Sequence, residues 1–364
     1  MFFFAKAEED PARAFDHKFH FPAWYLENNI RLRKLERMLK NFLAFDGDIK
    51  SSVIKAFKEC CDVKSLFNAK EPVNKIPTAK DFDAATTSFL NELFVEYLYE
   101  QQLSDSGSTW SKKLGKSLNH HYKDFKEAHN EEDHYALCAF CGIEPIKMLT
   151  SEGRPDYDHL LPKGEGLYVF SAVNLANLIA AGDICNKKKS TKNLLYSDNL
   201  RTERTISFYP FEDPPPNAFE MYQINLSSLE LPSTANNWRG DWEIDIVPND
   251  PEDESVIEKI KNWDRVYNIK ARYKEYIMDN GKSIIDKVVK SINADNELEH
   301  EVAKDLQVLL DKVYVYEFLF ISTESGLIPK RIFIKWALDE KKFLLSYLQT
   351  KKNFPAKIDM SLVE

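Results

Sequence analysis

An aspartate and a histidine stand side by side at Asp158 and His159. Asn177 follows the histidine by eighteen residues, and Asn186 follows Asn177 by nine. A histidine can accept a proton near neutral pH, and carboxylate or amide oxygens are ligands for hard divalent cations. Together these residue types suit the hydrolysis of a phosphodiester, which needs an activated water and a cation at the phosphate.

The adjacency of Asp158 and His159 sets a geometric condition. Neighbouring side chains of an extended strand point to opposite faces. We therefore expect a kink or bulge near Pro162 that turns one of the two side chains, so that both reach one centre. In this interpretation His159 activates water, and Asp158 is a ligand of Mg²⁺ or Mn²⁺.

The order and spacing of these residues resemble the HNH, or ββα-metal, endonuclease superfamily over about residues 135–195. The resemblance implies that His159 is the general base and that Asp158 and Asn186 hold the catalytic metal. It also implies that Asn177 orients the base. Asn174 is an alternative for that orienting role, but its spacing to Asn186 is longer.

Three cysteines fall in the same region, at Cys138, Cys141 and Cys185. Many members of the superfamily carry two CxxC pairs that hold a structural zinc. Here the second pair is Gly182-Asp183-Ile184-Cys185, which lacks one thiol. The three thiols are expected to bind zinc with Asp183 or His134 as the fourth ligand, or to be buried without a metal as small apolar residues.

A basic run follows Asn186, and a lysine also stands after the Asp-His pair. The net charge of the chain is −9, so phosphate contacts must come from a local surface and not from the total charge. Charge runs are usually solvated surface, but this one begins at a predicted metal ligand. We therefore expect sequence-independent nucleic-acid contacts from Lys163, Lys187, Lys188, Lys189 and Lys192, with Arg201 and Arg204 extending the run.

The surrounding pattern predicts an α+β protein in which a small ββα-metal nuclease core is flanked by mainly α-helical N- and C-terminal regions. Strand-like runs at 137–140 and 157–161 and a helix beginning near Asp183 supply the core. The expected domains are a helical module at 1–130, the core with its CxxC knuckle at 131–204, a short β or irregular connection at 205–254, and a helical module at 255–364.

The pattern also predicts individual elements outside the core. Apolar residues recur at helical spacing from Pro22 to Phe45, which predicts the first helix. Apolar and polar residues alternate at 206–209, 224–226 and 242–246, which suggests short β segments. In the C-terminal module Gly281 is expected to break the helical pattern.

A looser resemblance continues through 209–213 and 263–273. These stretches are similar to longer bacterial HNH proteins, some of which accompany an ATPase in phage-defence systems of the Septu kind. The resemblance implies an ATPase or another defence protein as partner. Large aromatic side chains on the helices (Trp24, Tyr97, Tyr314, Phe318, Trp336 and Phe343) suggest docking or a homo-oligomer, although they could equally form the cores of their own modules.

The five cysteines form no disulfide framework, and no apolar run has the length of a membrane span. We therefore expect a cytoplasmic protein without a membrane partner. The sequence predicts an HNH endonuclease that cleaves DNA with little sequence specificity. Two alternatives stay open: a non-catalytic HNH-fold subunit that assembles or binds nucleic acid within a defence complex, and a nuclease that cleaves RNA.

Overall fold

The structure is a computed structural model, and it describes residues 29–68, 75–105, 108, 118, 122, 137–146, 157–211, 221–230, 240–293, 327–340, 343, 346 and 347. The chain divides into two compact units. The first comprises Met1–Ala128, Lys147–Ala181 and Lys189–Asp213, and the second comprises His129–Ile146, Gly182–Lys188 and Pro214–Glu364. The described residues contain helices and two small antiparallel sheets, so the chain is of mixed α and β composition.

The first unit begins with helices α1 (Asn29–Leu43), α2 (Gly47–Glu59), α3 (Val63–Asn68) and α4 (Ala84–Leu90). Helix α1 buries residues at i, i+3, i+4 and i+7, namely Leu35, Met38, Leu39 and Phe42, which is the spacing of one helix face. Asp46 and Asp83 accept hydrogen bonds from the first amides of α2 and α4, and such caps satisfy donors that have no partner within the helix.

A π-helical segment, Asn91–Leu103, continues from α4. Long π-helical stretches are rare and often occur at functional sites. This one buries Leu93, Phe94 and Tyr97. The ring of Phe94 packs against Phe170 at 5.5 Å between centroids, and that contact anchors the turn Val169–Ser171 in the first unit.

Strands β1 (Tyr157–His159) and β2 (Leu178–Ala180) pair in antiparallel register, with Tyr157 opposite Ala180 and His159 opposite Leu178. Helix α5 (Asp183–Lys189) follows directly. The predicted strand at 157–161 and helix near Asp183 are therefore confirmed. The predicted strand at 137–140 is wrong: Leu137 makes one isolated bridge to Pro145, and a turn follows it. The second strand is the apolar run 178–180.

The second unit contains a hairpin of β3 (Tyr222–Glu230) and β4 (Asp241–Pro248), followed by helices α6 (Glu254–Tyr267), α7 (Ile269–Asn293) and α8 (Leu327–Asp339). Trp242, Ile244 and Ile246 are buried on alternate positions of β4, as expected for a strand with one covered face. The ring of Trp242 meets Trp336 of α8 at 4.5 Å between centroids.

The alternation at 224–226 and 242–246 is confirmed as β3 and β4, whereas the similar pattern at 206–209 forms no strand. The described aromatic residues Tyr97, Trp336 and Phe343 are buried in the cores of their units, so they do not support docking. Trp24, Tyr314 and Phe318 lie outside the described residues, as does the predicted start of the first helix.

Candidate functional site

Strand β1 places Asp158 and His159 on opposite faces of a two-stranded sheet. The three residue pairs of β1 and β2 follow one another in regular register, so the expected bulge is absent from this strand. The two side chains consequently have different neighbours: Asp158 contacts Lys189, and His159 contacts the ring of Tyr99. Both side chains are nevertheless buried, with 5% and 7% of their residue surfaces exposed.

The imidazole of His159 is held in one orientation by a backbone carbonyl. Its Nε2 lies 3.0 Å from the carbonyl oxygen of Ala172, and the ring of Tyr99 meets its face edge-on with 4.6 Å between centroids. A carbonyl oxygen can only accept, so this contact requires a proton on Nε2. In the neutral ring Nδ1 is then the nitrogen with the lone pair.

Asn177 fastens together the two chain segments that determine the position of this ring. Its Oδ1 accepts from the amide of Leu161 at 2.7 Å, and its Nδ2 donates to the carbonyl oxygens of Leu161 and Ser171 at 3.2 and 3.0 Å. Leu161 is two residues beyond His159, and Ser171 precedes Ala172. Asn177, fully buried, therefore acts on the imidazole through the backbone on both sides of it.

The alternative residue Asn174 makes different contacts. Its Oδ1 accepts from the amide of Ala176, and its Nδ2 donates to the carbonyl oxygen of Cys61 at the end of α2. Ser171 is anchored similarly, through a hydroxyl that donates to the carbonyl oxygen of Cys60 at 2.9 Å. The loop between β1 and β2 is thus tied by Asn174 and Ser171 to the residues that follow α2, and by Asn177 to a residue that follows β1.

Asp158 is paired with a lysine that has no exposed surface. Nζ of Lys189 donates to Oδ1 of Asp158 at 2.9 Å and to the carbonyl oxygen of His159 at 2.6 Å. Burial raises the pKa of the Asp158 carboxyl, and the positive charge of Lys189 only partly offsets that effect. The second oxygen, Oδ2, is buried and accepts no hydrogen bond within the described part of the chain.

The structure corrects the predicted phosphate contact of Lys189, because a fully buried ammonium that is already paired cannot meet a nucleic acid at the surface. Arg201 and Arg204 are also structural: Arg201 is buried against Asp81 and the carbonyl oxygen of Ile76, and Arg204 donates to backbone carbonyl groups, including that of Leu195. The remaining predicted lysines are exposed in three cases (Lys187, Lys188 and Lys192) and half-buried in one (Lys163).

Lys163 lies close to the π-helical segment of the first unit. Its Nζ is 3.7 Å from a carboxylate oxygen of Glu100 and 4.9 Å from the centroid of the Tyr99 ring. Tyr99 thus contacts both His159 and Lys163. This tyrosine could not be identified from the sequence, because a single aromatic residue on a helical segment does not indicate its distant neighbours.

In the second unit the three cysteines meet as predicted. The sulfur atoms of Cys138, Cys141 and Cys185 all lie within 4.8 Å of one another, and all three residues are buried. Such a cluster can hold a soft or borderline metal such as zinc. Hydrogen bonds from the thiols of Cys138 and Cys185 lower the pKa of Cys141, and the shared bond with Cys141 raises the pKa of Cys138.

An arginine and a glutamate, neither of which was predicted from the sequence, contact the cysteine cluster. Arg272 donates to Sγ of Cys185 at 2.9 Å and to Oε2 of Glu144 at 3.0 Å. Glu144 in turn accepts from the amide of Ile184 at 3.0 Å. Burial by itself lowers the pKa of Arg272, but the negative charges of Cys185, Cys141 and Glu144 outweigh it and raise that pKa above its ordinary value.

The remaining predicted metal ligands are Asn186, Asp183 and His134. Asn186 is half-buried on α5 and belongs to the second unit, whereas Asp158, His159 and Asn177 belong to the first. Its convergence with them stays a prediction. Asp183 is exposed in the first turn of α5. His134 lies outside the described residues.

No family model, curated protein or solved structure matches this chain. The geometry of the side chains therefore has to support any functional assignment. Among the helices that the structure describes, none combines the length and the apolar character needed to cross a membrane.

Proposed function

We propose that this chain is a metal-dependent endonuclease of the HNH type, which hydrolyses DNA phosphodiester bonds with little sequence specificity. The observation that supports this most is the fixed imidazole of His159. It lies on a strand whose partner strand is preceded by Asn177, and Asn177 clamps the loop that holds the ring. A histidine whose tautomer is set by a backbone carbonyl is suited to act as a general base.

His159 would accept a proton at Nδ1 from the attacking water. An imidazole can take up and release a proton near neutral pH, which suits it to this role. Donation from Nε2 to Ala172 becomes stronger as positive charge develops on the ring, because a charged donor makes the stronger hydrogen bond. The carbonyl of Ala172 thus stabilises the protonated base.

Asp158 would hold the divalent cation through Oδ2. A buried carboxylate oxygen without a hydrogen-bond donor is costly unless it meets a positive charge, and oxygen ligands suit Mg²⁺ or Mn²⁺. When bound, such a cation neutralises phosphate charge and stabilises the leaving alkoxide. The assignment of Asn186 as its second protein ligand rests on the resemblance to the superfamily.

The opposite orientations of Asp158 and His159 are compatible with this chemistry. In an in-line displacement the attacking water and the leaving oxygen stand on opposite sides of the phosphorus atom. The base must lie beside the attacking water, and the cation must lie beside the leaving oxygen and the phosphate. Two side chains from opposite faces of β1 can therefore serve one reaction without sharing an atom.

Phosphate binding would come from Lys187, Lys188 and Lys192, which are exposed, and from Lys163. Lysine contacts to phosphate position a nucleic acid without selecting its sequence. We assign DNA as the substrate and keep RNA as an outcome of the test, because the same chemistry acts on both. We also propose a role in bacterial anti-phage defence with an ATPase or another defence protein as partner, on the looser resemblance to longer bacterial HNH proteins. A cytoplasmic location is proposed from the cysteine usage.

A plasmid-nicking experiment tests the proposed activity. Purified protein is incubated with supercoiled DNA and Mg²⁺ or Mn²⁺, with EDTA as the control, and a single-stranded RNA of matched length is tested in parallel. We expect nicked and linear DNA with metal and none with EDTA. If only RNA is cleaved, the substrate is RNA and not DNA. Cleavage that continues in EDTA would contradict the metal dependence.

One observation favours a second function, a non-catalytic HNH-fold subunit. The ammonium group of Lys189 already neutralises Asp158, and a cation at Oδ2 must coexist with that charge or displace it. If the pair is permanent, the fold could serve assembly or nucleic-acid binding alone. Protein that binds DNA but leaves it intact with Mg²⁺ and with Mn²⁺ would favour this alternative.

A further inference from the structure

We propose that Glu144 is the fourth ligand of the metal site formed by Cys138, Cys141 and Cys185. Zinc in structural sites has four ligands in tetrahedral arrangement. The cysteine cluster supplies three sulfur atoms within 4.8 Å of one another. The fourth position requires a donor from the same neighbourhood, and Glu144 follows the second cysteine of the CxxC pair by three residues.

The position of the Glu144 carboxylate fits this role. Its Oε2 lies 3.9 Å from Sγ of Cys141. A tetrahedral zinc with ordinary Zn–S and Zn–O bond lengths separates a sulfur and an oxygen ligand by about 3.6 Å. The carboxylate therefore needs a shift of a few tenths of an ångström, relative to Cys141, to share an ion with that thiolate.

Gly182 leaves room for this carboxylate. A Cβ atom built at Gly182 would lie 2.7 Å from Oε2 and 2.8 Å from Cδ of Glu144, which is closer than non-bonded atoms approach. Gly182 precedes Cys185 by three residues, the place where a second CxxC pair would have its first cysteine. The carboxylate of Glu144 thus fills the space beside the backbone from which a fourth thiol would have come.

Arg272 supplies the positive charge that such a donor set requires. Three thiolates and one carboxylate carry four negative charges, and one divalent ion balances two of them. Arg272 donates to Sγ of Cys185 and Cys141, at 2.9 and 3.6 Å, and to Oε2 of Glu144 at 3.0 Å. A donor that contacts several ligands at once orients them and offsets part of the remaining charge.

The carboxylate is also held by α5. The amides of Ile184 and Cys185 donate to Oε1 and Oε2 of Glu144 at 3.0 and 3.3 Å. These bonds fix the glutamate beside Cys185 before any ion binds, which lowers the cost of ordering the ligand. Asp183, the other acidic candidate, is exposed in the first turn of α5, where water competes for its oxygen atoms.

Cobalt substitution tests the proposal, because thiolate-to-cobalt charge transfer grows with the number of bound thiolates. The zinc content of the purified protein is measured first, and Co²⁺ is then bound to wild type, Glu144→Cys and Glu144→Ala. The control variant Glu243→Cys adds a thiol at an exposed position of β4. Circular dichroism confirms that each variant is folded.

We expect one zinc ion per chain in the wild type. Glu144→Cys should increase the charge-transfer absorbance by about one third, from three thiolates to four, whereas Glu243→Cys should leave it unchanged. Glu144→Ala should weaken zinc binding by at least about tenfold. A wild-type protein without zinc, or a Glu144→Cys spectrum equal to that of the wild type, would overturn the assignment. These readouts measure coordination and not cleavage, so they are independent of the nuclease proposal.

Discussion

The ammonium group of Lys189 lies 2.9 Å from Oδ1 of Asp158, and both side chains are almost entirely removed from solvent. This ion pair joins the last residue of α5 to the middle residue of β1. It also leaves Oδ2 of Asp158 buried without a hydrogen-bond donor among the described residues. The pair therefore determines how a cation could approach the carboxylate.

Replacing Lys189 by methionine should destabilise the protein and make its stability depend on a cation at Asp158. Removal of one partner leaves a buried charge without compensation, and the expected loss of stability is about 3–5 kcal/mol. If a cation binds at Asp158, Mg²⁺ should restore part of that stability, because it supplies the missing positive charge. The measurement is urea unfolding of wild type and Lys189→Met, with and without millimolar Mg²⁺.

The double variant Asp158→Asn with Lys189→Met is the control for this prediction. It removes both charges, so it should unfold at a higher urea concentration than Lys189→Met alone and should not respond to Mg²⁺. If Lys189→Met is as stable as the wild type and indifferent to Mg²⁺, neither the ion pair nor the proposed cation contributes as described.

Asn177 should matter to both stability and catalysis, whereas Asn174 should matter mainly to stability. Asn177→Ala leaves the buried amide and carbonyl groups of Leu161 without a partner, which should cost at least about 2 kcal/mol. It also loosens the loop that holds His159, so the rate of cleavage should fall. Asn174→Ala, the matched control, removes a cap and one bond to Cys61 and should cost about 1 kcal/mol.

These effects are separated by measuring unfolding and kcat on the same preparations. The prediction requires a larger loss of kcat for Asn177→Ala than for Asn174→Ala at a temperature where both variants are folded. Equal losses of kcat would mean that Asn177 has no special part in positioning the base.

Asp81 should make the first unit sensitive to acid. Burial alone raises the pKa of its carboxyl, but hydrogen bonds from Arg201 and Thr78 outweigh that effect and hold the pKa below its ordinary value. A lowered pKa contributes stability that is present above the unfolded value of about 3.9 and is lost as pH falls through the folded pKa. The Asp81→Asn variant should therefore be less stable than the wild type at pH 7. On acidification its stability should fall by less than that of the wild type.

Urea unfolding of wild type and Asp81→Asn at pH 7 and near pH 3 measures this. The difference between the two proteins should be about 1–3 kcal/mol at pH 7 and should shrink at the lower pH. A difference that stays constant between the two pH values would show that the ionisation of Asp81 does not contribute.

Lys187 and Lys188 should contribute to DNA affinity through phosphate contacts. Each phosphate contact that is lost reduces the slope of log affinity against log salt by about 0.9 on duplex DNA. The double variant Lys187→Gln with Lys188→Gln should therefore lower the slope by about 2. The control pair is Lys55→Gln with Lys58→Gln, which removes two exposed charges from α2. An equal change for both pairs would refute a specific phosphate surface.

The local pattern of the sequence predicted the elements better than the pairing between them. Alternation identified β3 and β4, and apolar spacing identified α1, because both patterns reflect burial on one face. The strand expected at 137–140 forms a turn instead, and its place in the first sheet is taken by 178–180. A short apolar run does not indicate which segment it pairs with. Helix α7 likewise passes through Gly281, where a break was expected, because tertiary packing can override the modest helical cost of one glycine.

In the candidate site, too, local spacing was informative and contacts between distant residues were not predicted. Motif spacing identified Asp158, His159, Asn177 and the three cysteines as candidates, and the cysteines do lie together. Lys189, Tyr99, Glu144 and Arg272 gained their roles only in the structure. Lys189 was predicted to contact phosphate together with its neighbouring lysines, since sequence alone does not indicate which lysine of a helix turns inward. Arg272 lies far from the cysteines in sequence, so no local spacing connects it to them.

Cleavage by the His159→Ala variant shows whether His159 is the general base. Wild type and variant are compared on supercoiled plasmid with Mg²⁺ and with Mn²⁺, after unfolding curves have shown that both are folded. We expect the wild type to nick the plasmid and the variant to cut at least about 100-fold more slowly, since a general base contributes that much or more. A folded variant that cuts as fast as the wild type would contradict the assignment of His159 as the base.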